Sequence, residues 1–144
     1  MRTTKLRTLC VAAALPMATA LMAAGSGVSG PGVANAPAPA ALRALEPGEW
    51  ELRGRGEGAE TQKLCVTDLR QLLQVRHGRA LCPSFTVSDS PNAVSVTYDC
   101  AAAGTGRTDL RIETARLVQI RSQGVADGAP FAFAAEGRRI GVCG

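Results

Sequence analysis

The stretch Asp109-Leu110-Arg111-Ile112-Glu113-Thr114-Ala115-Arg116-Leu117-Val118-Gln119-Ile120-Arg121 alternates apolar and polar side chains on both sides of Ala115. A period of two makes each half a β-strand with one dry face and one wet face. Folding the halves about Ala115 sets Leu110 opposite Ile120 and Ile112 opposite Val118, with Arg111 opposite Gln119 and Asp109 opposite Arg121. Both faces then agree, so the pattern itself fixes the register of this hairpin.

Toward the C-terminus, Phe131 to Ala135 and Arg138 to Val142 read as a last pair of strands turning near Gly137, which brings Cys143 to the end of the sheet. Toward the N-terminus, Phe85 and Val87 alternate with Thr86 and Ser88. Ser90-Pro91-Asn92 supplies turn chemistry, and Val94, Val96 and Tyr98 follow. Pairing Val87 with Val96 and Phe85 with Tyr98 keeps the apolar side chains of this hairpin on one face. It also leaves Cys82 one residue out of line with Cys100, so a bridge between them needs a bulge or a strand end at Pro83.

Further upstream, Trp50 and Leu52 alternate with Glu51, Arg53 and Arg55, and Gly54, Gly56 and Gly58 loosen the strand. Leu64 to Val66 is a second strand leading to Thr67, the expected N-cap of a short helix with Val66, Leu69, Leu72 and Leu73 on one face and Gly78 as its stop. The expected fold is mainly β with a minor α component. It is a curved or partly closed antiparallel sheet of about 6–8 short strands with one short helix, stapled by disulfides.

Arg2, Lys5 and Arg7 precede an apolar run from Leu9 to Ala24, the order of a secretory signal peptide, expected over residues 1–24. The run falls short of the roughly 20 apolar residues of a spanning helix, so the membrane is met only through the transient signal. Small-residue cleavage patterns occur at Ala18-Thr19-Ala20 and Ala34-Asn35-Ala36, with Pro37 opposing a cut after the second. Cys10 is expected to leave with the signal. Residues 25–44, rich in Ala, Gly and Pro, read as a flexible tether, and residues 45–144 as one disulfide-containing domain. The expected location is the bacterial periplasm.

Three of the 16 Lys and Arg residues precede residue 8, leaving 13 against 12 acids in the exported part. Interspersed charge of this kind has no electrostatic footprint for nucleic acid, and Trp50, Phe85, Tyr98, Phe131 and Phe133 are few aromatics for stacking bases. Cys65, Cys82, Cys100 and Cys143 make an even set for an oxidising compartment. The favoured pairs are Cys82 with Cys100 and Cys65 with Cys143. By loop entropy the alternative, Cys65 with Cys82 and Cys100 with Cys143, scores nearly the same.

Pro47-Gly48-Glu49-Trp50-Glu51 opens the domain, Cys65-Val66-Thr67 follows, Cys82 and Cys100 bracket a hairpin, and Gly137-Arg138-Arg139-Ile140-Gly141-Val142-Cys143 closes it. Together these resemble the bacterial exported family called domain of unknown function 3617, over roughly residues 46 to 143. The acidic stretch usual after Cys-Val-Thr is reduced to Asp68, and the methionine-rich central strands of many members are absent. The resemblance implies an exported β-rich domain with disulfides, and it transfers no catalytic residue.

No catalytic, cofactor or metal constellation is complete in the sequence. His77 is the single histidine and stands among Arg76, Gly78 and Arg79, with no orienting carboxylate nearby, which reads as a solvent-facing helix end. No Cys-x-x-Cys pair serves redox chemistry or zinc. Glu49 with Glu51, and Glu57 with Glu60, read as a wet strand face and a solvated turn rather than an acid and base. Gly54, Gly56 and Gly58 lack the Gly-Lys-Ser/Thr of a phosphate loop. The expected function is therefore that of an envelope protein that binds a small apolar ligand or a protein partner without catalysis. Trp50, Ile112, Phe131 and Phe133 form its ligand or core face. The alternatives are an enzyme using His77 or a surface carboxylate, and a structural partner protein with Arg138-Arg139 facing an acidic or phosphate surface.

Overall fold

The computed structural model describes residues 37–144, so the signal peptide, its cleavage sites and most of the tether lie outside the described residues. Seven strands form one antiparallel sheet: β1 (Gly48–Gly54), β2 (Thr61–Val66), β3 (Ser84–Ser90), β4 (Ala93–Asp99), β5 (Gly104–Thr114), β6 (Leu117–Ala126) and β7 (Ala129–Gly141). Their spatial order is β2-β1-β7-β6-β5-β4-β3, so the sheet is open, with β2 and β3 at its edges. Strands β3 to β7 are a plain meander, and the β1–β2 hairpin docks on β7.

The chain leaves β2 at one edge and must start β3 at the other, so residues 67–83 cross the full width of the sheet. That crossing carries Leu72 and Leu73 onto one face, which becomes the core with Trp50, Leu52, Val96, Leu110, Val118 and Ile120. Where a regular helix was expected, the crossing holds a single 3-10 turn, Leu69–Leu73, and Asp68 rather than Thr67 is its cap. The Asp68 carboxylate accepts from the Arg70 amide at 3.0 Å while the Gln71 side chain accepts from the Asp68 amide at 3.3 Å, a reciprocal capping box. Gln71 and Gln74 then bond to the carbonyls of Arg79 and Ala80, and this pulls the chain out of helical geometry well before Gly78.

The Arg70 guanidinium holds the Asp68 carboxyl below the usual carboxylate range by its side-chain hydrogen bond, and the Arg70 amide adds to the effect against a partial desolvation cost. A carboxyl lowered on folding adds stability above its unfolded value and loses it as pH falls through the lower folded value. Asp68→Ala is therefore expected to cost about 1 kcal/mol at neutral pH, and the deficit should shrink in acid. Urea titrations of both proteins across pH check this, and a deficit unchanged in acid refutes the ionic part of the cap.

The tether also ends earlier than its composition indicated. Ala40–Ala44 is a 3-10 turn that buries Ala41 and Leu42, because the Asp89 carboxylate accepts from the amides of both Ala40 and Ala41. Those two bonds satisfy donors at the start of the turn and hold it over β3, β4 and β5.

The hairpin of Asp109 to Arg121 has the register read from sequence at every quoted pair. Two other readings are corrected. Tyr98 lies opposite Ser84 and Thr97 opposite Phe85, one residue away from the apolar pairing, so Phe85 and Val87 are 70% and 46% exposed. This shift brings Cys82 into line with Cys100, and the two are bonded with their Cα atoms 5.0 Å apart. A covalent bond outweighs the burial of two side chains on an edge strand, worth roughly 2 kcal/mol each. A bulge at Val87 then resets the ladder toward the turn.

The second correction concerns Gly137, which does not turn the chain. Strand β7 runs unbroken from Ala129 to Gly141, and the turn is Asp127-Gly128, both residues at positive φ, between Ala126 and Ala129. Gly137 instead faces the core, where an added Cβ would lie 2.8 Å from Val118 and 3.0 Å from Leu52. The other bridge joins Cys65 to Cys143, tying edge strand β2 to the chain end beyond β7. Both favoured cysteine pairs are thus present.

Candidate functional site

Core and surface lie on opposite faces of the sheet, and this decides where a ligand has access. Trp50 and Ile112, expected on a ligand or core face, are 0% and 8% exposed beneath the crossing segment, and they serve the core. Phe131 and Phe133 occupy the same face near its open end and are half-buried. Around Phe131 the structure gathers His77, whose ring lies 5.7 Å away, and Tyr98, which is 5.1 Å from His77 on its other side.

His77 is therefore not a solvent-facing helix end. Its Nε2 is 2.9 Å from the Val125 carbonyl, which makes Nε2 the protonated nitrogen, and the buried Nδ1 has no partner among the described residues. The ring clamps the crossing segment onto β6, with neither nitrogen open to a substrate. His77→Ala is expected to cost about 1.5–4.5 kcal/mol, the sum of one hydrogen bond and two edge-on aromatic contacts. Thermal unfolding checks this, and a change under about 0.5 kcal/mol, the usual scatter of surface substitutions, would refute the clamp.

The other charged candidates separate. Arg138 and Arg139 point to opposite faces: Arg138 stays on the outer face, 3.5 Å from Glu136, while the largely covered Arg139 donates to the Pro47 carbonyl at 2.8 Å. The pair is not one contact surface. Glu51 is held by Arg53 at 2.7 Å, and Glu57 and Glu60 lie exposed in the β1–β2 loop. Among the described residues no cluster of His, Cys, Asp or Glu could hold a metal ion, and no helix is long and apolar enough to cross a membrane.

What the structure does assemble is a trough of about 580 Å³ across the outer face of β4 to β7. Its lie follows from register. One row across the sheet runs Ser95, Asp109, Arg121, Ala134, and the next runs Ala93, Arg111, Gln119, Glu136. Ala93, Ser95 and Ala134 are small where a wet strand face normally carries long side chains, so they leave the recess. Arg55, whose amide bonds the Ala134 carbonyl at 2.8 Å, closes one end, and Ser88 of the edge strand closes the other.

The arginines that line the trough, Arg55, Arg111 and Arg121, and their neighbour Arg107 differ in one respect. Arg111 has Glu113 at 2.6 Å, Arg55 has Glu136 at 3.4 Å, and Arg107 has Asp109 at 3.5 Å while donating to the buried Ser95 hydroxyl at 2.9 Å. Arg121 stands opposite Asp109 yet makes no hydrogen bond or ion pair among the described residues. Glu136, opposite Gln119 on the neighbouring strand, is held below the usual carboxylate range, first by the Gln119 amide and then by Arg138 and Arg55. A recess of this size with convergent polar groups is of the order that small-molecule sites occupy. Single-strand reading gave no sign of it, because each contributing strand shows only an ordinary wet face.

No protein-family model matches the chain, and no curated protein or solved structure matches it either.

Proposed function

We propose that this chain is an exported, periplasmic binding protein without catalytic activity, whose single domain holds a small ligand in the outer trough with Arg121 as the anchor for an anionic group. We also propose its membership of the domain of unknown function 3617 family, on the closing motif and cysteine spacing. The observation that carries the binding reading is Arg121, which among the described residues is the trough arginine with no carboxylate partner. A guanidinium in a recess pairs with carboxylate or phosphate oxygens through two parallel bonds. The buried core face supplies no opening at Trp50 or Ile112, and this moves the ligand from the apolar face to the polar one. Two disulfides suit an oxidising compartment and thus support export.

Arg121→Gln is expected to weaken binding of a monocarboxylate probe such as acetate about tenfold, with the melting temperature unchanged. Amide chemical-shift titration checks this. Equal affinity in both proteins overturns the anchor. Export is checked on protein isolated from the periplasm without reductant: an N-terminus between residues 21 and 37 and a mass about 4 Da light establish cleavage and two bridges.

A further inference from the structure

We infer that the ligand is a monoanionic amphiphile, its head on Arg121 and its tail lying across Ala93 and Ser95 to the exposed edge residues Phe85 and Val87. This rests on the trough reading above and adds the chemical class of the occupant.

The charge argument gives one negative group. Arg55 and Arg111, and Arg107 beside the trough, each have a carboxylate within 3.5 Å, so among the described residues the trough lacks one anionic partner, at Arg121. A second negative charge on the ligand would meet Asp109, opposite Arg121, and Glu136 one row away. Like charges at such separations repel, so a polyanion is selected against.

The apolar argument gives the tail. The Cys82–Cys100 bridge sets Phe85 opposite Thr97, on the same outer face as the trough, and the bulged Val87 stands between Thr86 and Ser88 on the same edge strand. These are the large exposed apolar side chains of that strand, at 70% and 46%, and they offer apolar surface beside the recess. Ser88, next to Val87, is itself part of the trough wall, so the recess and the apolar edge are continuous. From Arg121 to that edge the path crosses three strand spacings, about 14 Å. That row runs Arg121, Asp109, Ser95 and Ser88, and the small Ala93 in the next row widens the recess beside it.

The test titrates the full ¹⁵N-labelled chain with dodecanoate below its micelle concentration, with acetate, and with the uncharged amphiphile octyl glucoside. Sedimentation with phosphatidylglycerol vesicles runs alongside. Dodecanoate is expected to bind at least about tenfold tighter than acetate and to shift the amides of Arg121, Ala134, Phe85 and Val87. Arg121→Gln should weaken dodecanoate about tenfold, and Phe85→Ser with Val87→Thr should bring it within about threefold of acetate. These two edge positions are exposed, so that variant keeps the fold. Dodecanoate no tighter than acetate, with acetate still dependent on Arg121, overturns the amphiphile and leaves the anionic trough standing. Octyl glucoside as tight as dodecanoate overturns the role of the head. Binding by neither anion removes both readings. Cosedimentation with vesicles alongside dodecanoate binding supports the proposal with a membrane lipid as the source, and dodecanoate binding without cosedimentation supports it with a free amphiphile.

Discussion

Replacing Cys65 and Cys143 by serine is expected to cost about 4.5 kcal/mol, against about 3 kcal/mol for the same change at Cys82 and Cys100. The difference comes from the unfolded chain: the first bridge closes a sequence separation of 78 and the second one of 18. Small domains have total stabilities of about 5–15 kcal/mol, so losing the long bridge removes a large share. This chain is placed to feel it, because its open sheet has a core on one face only, and edge strand β2 pairs with β1 alone. Guanidinium titrations of the two double-serine variants measure the gap. The amides of β2 should also lose exchange protection first in the Cys65→Ser, Cys143→Ser protein. Equal losses, or a larger loss from the short bridge, would show that native contacts rather than chain entropy set the contribution.

How far the sequence reveals the fold depends on what holds each strand. The hairpin of Asp109 to Arg121 is legible because its apolar face and its wet face call for one register, and the shift at the turn, between Ile112 and Thr114, lies beyond the pairs that set it. The β3–β4 hairpin is not, because the disulfide imposes a register that the apolar pattern opposes, and Phe85 and Val87 carry the cost. Gly137 misleads for a different reason. A glycine required by close packing of Val118 and Leu52 has the same letter as one required by a turn, and the actual turn, Asp127-Gly128, lies ten residues upstream of it. The expected helix shortened to a 3-10 turn once glutamine side chains took the carbonyls of Arg79 and Ala80.

The trough was illegible because it exists only across strands. Ser95, Asp109, Arg121 and Ala134 come from four strands and meet only through three successive registers. That Arg121 has no partner among the described residues depends further on Asp109 choosing Arg107, two residues away on its own strand, over the arginine directly opposite. No single-strand pattern encodes that choice.

Trp50→Ala is expected to destabilise the domain by about 3–5 kcal/mol, the range for emptying an aromatic site in a packed core. Trp50 is fully buried, its indole N–H donates to the Glu46 carbonyl at 3.2 Å, and its ring lies over Gly137 on the neighbouring strand. The glycine cannot fill the space left behind, so little of the cavity can collapse. Trp50→Phe keeps much of the ring and loses the hydrogen bond, and about 1–2 kcal/mol is expected. Circular dichroism during urea unfolding gives both values, since this chain has a single tryptophan and fluorescence would lose its probe. The Phe variant also separates the two faces of the sheet. The trough lies on the outer face and Trp50 beneath the crossing segment, so ligand affinity in Trp50→Phe should equal that of the parent protein. A variant that folds yet loses the ligand would place binding on the covered face, where the crossing segment must lift to admit it, and the assignment to Arg121 would fall.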